Sequence, residues 1–193
     1  MIEVPTLTGK WVALEPMIEA HRESLRRAAN DERIWTTTIV RAMGEAFDPW
    51  FAAALAERAA GRWLPFAVRR LSDSACIGST SYLDMTLKHR RLEIGGTWYH
   101  PDSWGTAVNP ECKLLLMTHA FEVLGVQRVA FITDVLNQRS QRAIAKLGAT
   151  REGILRSHMV SQGGRVRDSV VFSIVASEWP QVREALRCRL LPG

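Results

Sequence analysis

The stretch from residue 93 to residue 148 constrains the fold more than any other part of the chain. It predicts a strand over 93–99, a turn, a helix over 109–124, a second strand over 128–134 and a second helix from 137. The first helix has its apolar residues at helical spacing, so it must pack on a sheet. The second strand is short and apolar, which is typical of a central strand covered on both faces. Two strand–helix units in succession predict an α/β (α+β) fold.

The turn before the first helix predicts an anion-binding site. We expect the Asn109 side chain to cap this helix, with Pro110 at the first helical position and Glu111 where the helix dipole favours an acid. The N–H groups of the turn and of the first helical turn are then free to bind a phosphate. The alternative is a turn that only caps a helix.

Shorter elements on both sides complete one expected domain over residues 1–193. No repeat, linker or low-complexity segment interrupts the pattern, and the short connections before residue 99 favour an antiparallel meander. The expected elements are strands at 10–14, 65–70, 75–84 and 91–99, helices at 18–29, 45–60 and 179–190, and a hairpin of 150–161 with 165–175.

Charge and cysteine content limit the classes of partner. The 25 Lys and Arg against 20 Asp and Glu give a net charge of +5 and favour anionic partners. The basic residues are spread out, so no specific nucleic-acid site is expected. Three separated cysteines predict neither a disulfide framework nor a zinc site, and we expect no metal. Without a signal peptide or a long apolar run, the chain is expected to be cytoplasmic, with no membrane partner.

An ordered set of motifs over residues 7–180 resembles the GNAT superfamily of acyl-CoA N-acyltransferases, and in particular its RimJ/RimL-type branch. The motifs before residue 150 are Glu93-Ile94-Gly95, His100-Pro101-Asp102-Ser103-Trp104-Gly105-Thr106, Asn109-Pro110-Glu111, Asn137-x-x-Ser140 and Lys146-Leu147-Gly148-Ala149. The later motifs are Arg151-Glu152-Gly153-Ile154-Leu155-Arg156-x-His158, Gly164, Asp168, Ser173-Ile174 and Glu178-Trp179.

The resemblance implies a mixed, mostly antiparallel sheet whose two central strands splay apart, flanked by helices. In this family the pantetheine arm of acetyl-CoA pairs with the exposed edge of the first splayed strand, and the pyrophosphate binds at the turn that follows. A backbone N–H near Trp98 would hold the developing oxyanion of the thioester. The cofactor-binding residues implied by position are Thr97, Trp98, Tyr99, Trp104, Gly105, Thr106, Ala107, Val108, Asn109, Asn137 and Ser140.

The sequence departs from the family pattern at the turn. Ala107 replaces the second glycine of the usual motif, and the basic residue often found near the turn is missing. Asn137 has a second interpretation, because Asn is also a common helix cap. Arg139 and Arg142 lie at the start of the same helix, where they meet either phosphates or solvent, and the sequence does not decide between these two.

The resemblance also implies the catalytic residues. Glu93 occupies the position of the general base of histone-acetylating members, and the alternative is an ion pair with Arg91 or Arg128. The Tyr that many members use to protonate the leaving thiolate is replaced by Ile144, so the general acid is unassigned. Cys112 lies near the start of a helix whose dipole would lower a thiol pKa, which makes it a conceivable but unsupported nucleophile.

These features predict an acetyl-CoA-dependent N-acetyltransferase that acts by direct attack in a ternary complex. The acceptor is a primary amine, either a protein N-terminal α-amino group or a small molecule. Trp35 and the threonines at 36–38 either line its pocket or form an ordinary loop. The alternative is a non-catalytic acyl-CoA-binding protein on the same fold, and the sequence leaves a homodimer open.

Overall fold

A computed structural model describes residues 4–191, which fold around one eight-stranded sheet. The strand order is β1-β2-β3-β4-β5-β6-β8-β7, and all neighbours are antiparallel except β5 and β6. This confirms the predicted mixed, mostly antiparallel sheet. The strands are β1 (Leu7–Thr8), β2 (Val12–Pro16), β3 (Leu64–Arg70), β4 (Cys76–Thr86), β5 (Arg91–Tyr99), β6 (Arg128–Asp134), β7 (Thr150–Val160) and β8 (Val166–Val175).

Helices cover both faces of the sheet and enclose two apolar clusters. Successive residues of β3 alternate between them, since Phe66 and Val68 lie in the larger cluster and Ala67 in the smaller one. The larger cluster lies under α3 and α5, and the smaller one under α1 and α2. The α-helices among residues 4–191 are α1 (Arg22–Ala29), α2 (Phe47–Ala59), α3 (Val108–Thr118), α4 (Gln138–Ala145) and α5 (Trp179–Leu190).

Several predicted boundaries were wrong. The first strand was expected at 10–14, but β2 extends to Pro16, and the helix expected from Ile18 begins as a 3-10 turn before α1. The helix expected over 109–124 is α-helical only to Thr118 and continues as a π-helical turn, His119–Val123. Val123 was expected on the apolar face, but it is 70% exposed because this π turn changes the face that each residue presents.

The two central strands separate at one point. Their register has three pairs, Arg91 with Arg128, Leu92 with Val129 and Glu93 with Ala130. Beyond the last pair β5 continues to Tyr99 beside β4 alone, and β6 continues beside β8 alone. This separation is the predicted splay, and it opens a cleft between β5 and β6. No helix within residues 4–191 is long and apolar enough to cross a bilayer.

Candidate active site

Glu93 lies at the fork where β5 and β6 part, because it belongs to the last residue pair that joins them. Its neighbours Leu92 and Ile94 are buried in the larger cluster, so the alternation of a strand turns Glu93 toward the opposite face. The carboxylate folds back over Gly95, where a Cβ atom would lie 2.6 Å from Glu93 Oε1. A larger residue at position 95 would therefore force this carboxylate to shift from its place at the fork.

The environment of Glu93 suits a proton acceptor that works near neutral pH. Burial, assisted by the negative charge of Asp84 and opposed by Arg167, raises the pKa of the Glu93 carboxyl to about 7. A carboxylate with such a pKa is largely ionised just above pH 7 and still basic enough to take a proton.

The alternative interpretation of Glu93 as an ion-pair partner of Arg91 or Arg128 was wrong. Arg91 pairs instead with Asp84, and Arg128 pairs with Glu152. Glu93 forms no ion pair within residues 4–191 at salt-bridge distance. The charge of Glu93 is thus left available at the fork.

The turn between β5 and α3 differs in one detail from its prediction. The helix begins at Val108, one residue early, so Ala107 is the N-cap residue and Asn109 is the second helical residue. No side chain caps this helix, and the expected cap by Asn109 was wrong. Pro110 becomes the third helical residue, where its missing N–H would have had no intrahelical partner either.

Unbonded N–H groups nevertheless converge on this turn. Within the described residues, the N–H groups of Gly105, Thr106 and Ala107 have no acceptor, whereas that of Val108 donates to Thr106 Oγ1 at 3.3 Å. Gly105 has a φ of +75°, which favours glycine, and a Cβ atom there would meet open space. The turn is open and rich in donors, so it fits a phosphate group.

Glu111 has a structural role that the sequence did not predict. Its carboxylate accepts the N–H groups of Lys10 (2.7 Å), Trp11 (2.8 Å) and Val12 (2.9 Å). Lys10 and Trp11 belong to the turn between β1 and β2, and Val12 is the first residue of β2. Glu111 therefore joins the start of α3 to the edge of the sheet rather than to a ligand.

Trp104 connects the turn to both walls of the cleft. Its Nε1–H donates to the carbonyl of Tyr99 at 3.0 Å, so part of the main chain predicted to bind pantetheine already has a partner. The guanidinium carbon of Arg139, at the start of α4, lies 3.6 Å from the centroid of the Trp104 ring. A basic side chain thus reaches the turn from α4, across the cleft.

The first turn of α4 holds the other predicted cofactor residues. Asn137 caps the helix, and its Oδ1 accepts the N–H of Ser140 at 2.9 Å, as the alternative interpretation expected. Ile144 is buried in the larger cluster. Both tyrosines of the chain lie elsewhere, where burial raises the pKa of the Tyr82 and Tyr99 hydroxyls. Neither is placed on α4 as a general acid.

Lys113 is a buried polar residue at this site that the sequence pattern did not predict. It is 5% exposed, and its Nζ donates to Thr97 Oγ1 at 2.7 Å and to Thr80 Oγ1 at 3.2 Å. Burial lowers the pKa of the Lys113 ammonium to about 8. The position of this lysine could have indicated its burial. Lys113 directly follows Cys112 and lies one turn before Met117, on the buried face of α3. The side chain of Thr97 is therefore hydrogen-bonded to Lys113 within the protein.

The remaining candidates are core residues. Burial raises the pKa of the Cys112 thiol to about 12, so the prediction that the helix dipole lowers it was wrong. The Trp98 ring is buried against Trp35 and Trp50, with centroids 5.3 and 5.8 Å away. Trp35 donates its Nε1–H to Ala29, which makes it part of the core.

The loop after Trp35 is held by its own hydrogen bonds and by one bond to the β7–β8 connection. Thr38 Oγ1 donates to the carbonyl of Val40 at 2.7 Å, which stabilises the loop itself. The Ile39 carbonyl accepts the N–H of Gln162, in the connection between β7 and β8, at 3.0 Å. This hydrogen bond joins two segments that lie far apart in the sequence.

Comparisons with known proteins agree with this architecture. A family model described as an acetyltransferase (GNAT) domain matches residues 12–150. YoaA, an uncharacterized N-acetyltransferase of Bacillus subtilis (strain 168), is 32% identical over 125 residues, which are 65% of this chain and 68% of that protein.

Solved structures share the fold over most of the chain. A GCN5-related N-acetyltransferase from Brucella melitensis has a TM-score of 0.89 at 30% identity, covering 97% of this chain and 86% of that one. RimJ of Mycobacterium smegmatis, solved in complex with CoA-disulfide, has a TM-score of 0.78 at 21% identity, covering 92% and 88%. The likeness to RimJ concerns the fold alone.

Proposed function

Because the chain belongs to the GNAT family of N-acetyltransferases, we propose that it transfers an acetyl group from acetyl-CoA to a primary amine, with Glu93 as the general base. GNAT proteins use acyl-CoA, and membership of an enzyme family decides against the non-catalytic alternative. The observation that carries the proposal is a carboxylate with a pKa of about 7 at the fork between β5 and β6.

The cleft supports an acyl-CoA site on this chain. The edge of β5 beyond Glu93 lacks a partner strand on the β6 side, and an extended chain such as pantetheine can pair with a free strand edge. At its far end lie the unbonded N–H groups of Gly105, Thr106 and Ala107, which suit a pyrophosphate. The complex of the RimJ neighbour with a CoA derivative agrees with this use of the fold.

The proposed chemistry assigns one role to a protein side chain, that of the general base. Acetyl-CoA supplies the acetyl group as an activated thioester. Glu93 accepts a proton from the ammonium form of the acceptor, directly or through water, and the free amine attacks the acetyl carbonyl carbon. A C–N bond forms, the C–S bond breaks, and the thiolate takes the remaining amine proton, directly or through water. The high thiol pKa of Cys112 argues against an acetyl-cysteine route and supports direct transfer.

An acceptor screen tests the proposal. Release of free CoA thiol from acetyl-CoA would be followed with peptides of varied N-termini, polyamines and amino-sugar antibiotics. We expect acceptor-dependent release with one of these amine classes and none without an acceptor. If the protein bound acetyl-CoA but released no thiol with any primary amine, transfer to amines would be wrong.

Ligand-induced stabilisation is the first testable consequence. CoA at about 100 times its dissociation constant should stabilise the native state by roughly 2.7 kcal/mol, because it binds the folded form only. For a domain of this size that is a rise in Tm of about 5 to 10 °C. Thermal denaturation with CoA and with adenosine as a control measures the effect. An unchanged Tm in millimolar CoA would contradict the proposed site.

Replacement of Ala107 by proline tests the turn. Ala107 has a φ of −67°, which proline also adopts, so the Ala107→Pro variant should fold while losing one phosphate-facing N–H. Hydrogen bonds to charged groups contribute about 1.5 to 3 kcal/mol, so CoA affinity should fall roughly tenfold or more. Calorimetric titration measures it, and Ala107→Gly, which keeps the N–H, is the control. Equal affinities of both variants would move the pyrophosphate elsewhere.

A further inference from the structure

The side chain of Arg139 extends from α4 to Trp104, in the turn that follows β5. Its guanidinium carbon is 3.6 Å from the centroid of the Trp104 ring, which is a stacking distance. Trp104 directly precedes Gly105, and its own Nε1–H is fixed by the Tyr99 carbonyl. The indole ring is therefore held in place, and it positions the guanidinium of Arg139 beside the turn.

The stacked guanidinium has unused hydrogen-bond donors. Stacking uses the face of the group and leaves its N–H groups pointing outward in the plane, where they can bind a phosphate with two parallel hydrogen bonds. Arg139 has no hydrogen bond or carboxylate partner in the part of the chain that the structure describes. By contrast, Arg69, Arg91, Arg128 and Arg183 each pair with a carboxylate.

The electrostatic state of Arg139 suits the binding of an anion. Partial burial of the guanidinium lowers the pKa of Arg139, and no nearby acid offsets this. Arg142, one helical turn further on, is exposed and makes no such contact. The sequence could not decide whether Arg139 and Arg142 meet phosphates or solvent, but their environments in the structure differ.

From these observations we propose that Arg139 binds the pyrophosphate of CoA and replaces the basic residue that is missing from the turn. The pyrophosphate is favoured over the 3′-phosphate because Trp104 holds Arg139 next to Gly105, Thr106 and Ala107, whose N–H groups have no acceptor. Two sides of the cleft then bind one ligand group, the turn through its main chain and α4 through a side chain. This inference rests on the proposed function.

Calorimetric titration of the Arg139→Gln variant with three ligands tests the inference. CoA carries the pyrophosphate and the 3′-phosphate, dephospho-CoA carries only the pyrophosphate, and pantetheine carries neither. We expect affinity for CoA and for dephospho-CoA to fall by the same factor, about 10- to 100-fold, because a charge-assisted bidentate contact is lost. Affinity for pantetheine should not change.

Two further variants complete the design. Arg142→Gln removes the same charge from the same helix and should bind CoA like the wild type. Arg139→Lys keeps the charge but not the planar group, so it should recover only part of the affinity. Arg139 is exposed, so Arg139→Gln should keep the wild-type Tm without ligand.

The possible outcomes are distinguishable. A loss with CoA but not with dephospho-CoA would assign Arg139 to the 3′-phosphate and overturn the inference, as would unchanged affinity for both ligands. An equal loss in Arg142→Gln would indicate a general effect of charge and would also overturn it. If the wild type bound neither ligand, the proposed function itself would fail.

Discussion

Glu93→Gln is expected to lower kcat by about 10² to 10⁴, the usual contribution of general-base catalysis, while acetyl-CoA affinity stays nearly unchanged. Glutamine keeps the size of the side chain over Gly95 but cannot accept a proton. Steady-state kinetics with a saturating amine and calorimetric titration with CoA separate the two effects. Glu152→Gln, which breaks the neighbouring ion pair with Arg128, is the matched control and should retain its kcat.

The pH dependence of the rate should identify the titrating group. With a Glu93 pKa of about 7, the wild-type rate should rise as pH increases through that value, because only the carboxylate accepts a proton. In Glu93→Gln this acidic limb should disappear or shift to the pKa of the amine. A folded variant with unaltered kcat and pH profile would assign proton removal to water or to an amine that arrives neutral.

Stability gives an independent measure of the same carboxyl group. Its pKa is about 7 in the folded protein and 4.5 as the reference for an unfolded chain, so the folded state binds the proton more tightly. The free energy of unfolding of the wild type should therefore fall, relative to Glu93→Gln, as pH rises from 4.5 to 7. The fall should be on the order of 1 to 3 kcal/mol. An ion-paired Glu93 would give the opposite trend.

The sequence predicted the secondary structure around the site well, because strands and helices follow from periodic patterns. The strands β5 and β6, the cap of α4 by Asn137 and the positive φ of Gly148 follow from alternation and capping preferences that act over a few residues. The ordered motifs then gave the splay of β5 and β6, which no local pattern contains.

The contacts that the sequence could not predict join residues far apart in the chain. The stack of Arg139 on Trp104 and the bonds of Lys113 with Thr80 and Thr97 require the packed fold. The same holds for the thiol of Cys112, whose position in α3 suggested a low pKa. Complete burial outweighs the helix dipole there, because the desolvation of the thiolate destabilises it more than the partial charge of the helix terminus stabilises it.

Glu111→Gln should cause the largest loss of stability among the variants considered. The carboxylate holds the three N–H groups of residues 10–12 with charge-assisted hydrogen bonds, and the bond to Val12 is buried. A glutamine can offer one oxygen to two of these donors, but its NH₂ group then faces the third. Because Trp11 and Val12 share Oε2, the donor left facing the amide is the N–H of Lys10. This donor–donor contact, together with the charge lost from all three hydrogen bonds, should cost about 3 to 5 kcal/mol.

Thermal denaturation without ligand measures this loss as a fall in Tm of roughly 6 to 20 °C, given about 2 to 4 °C per kcal/mol for a domain of this size. Glu178→Gln is the matched control, because the Glu178 carboxylate accepts the single N–H of Val175 at 2.9 Å. It should lower the Tm by a fraction of that amount. Equal changes in the two variants would mean that Glu111 does not hold the β1–β2 turn against α3. The helix on which the phosphate-binding turn depends would then be anchored by its apolar face and by the hydrogen bonds of Lys113.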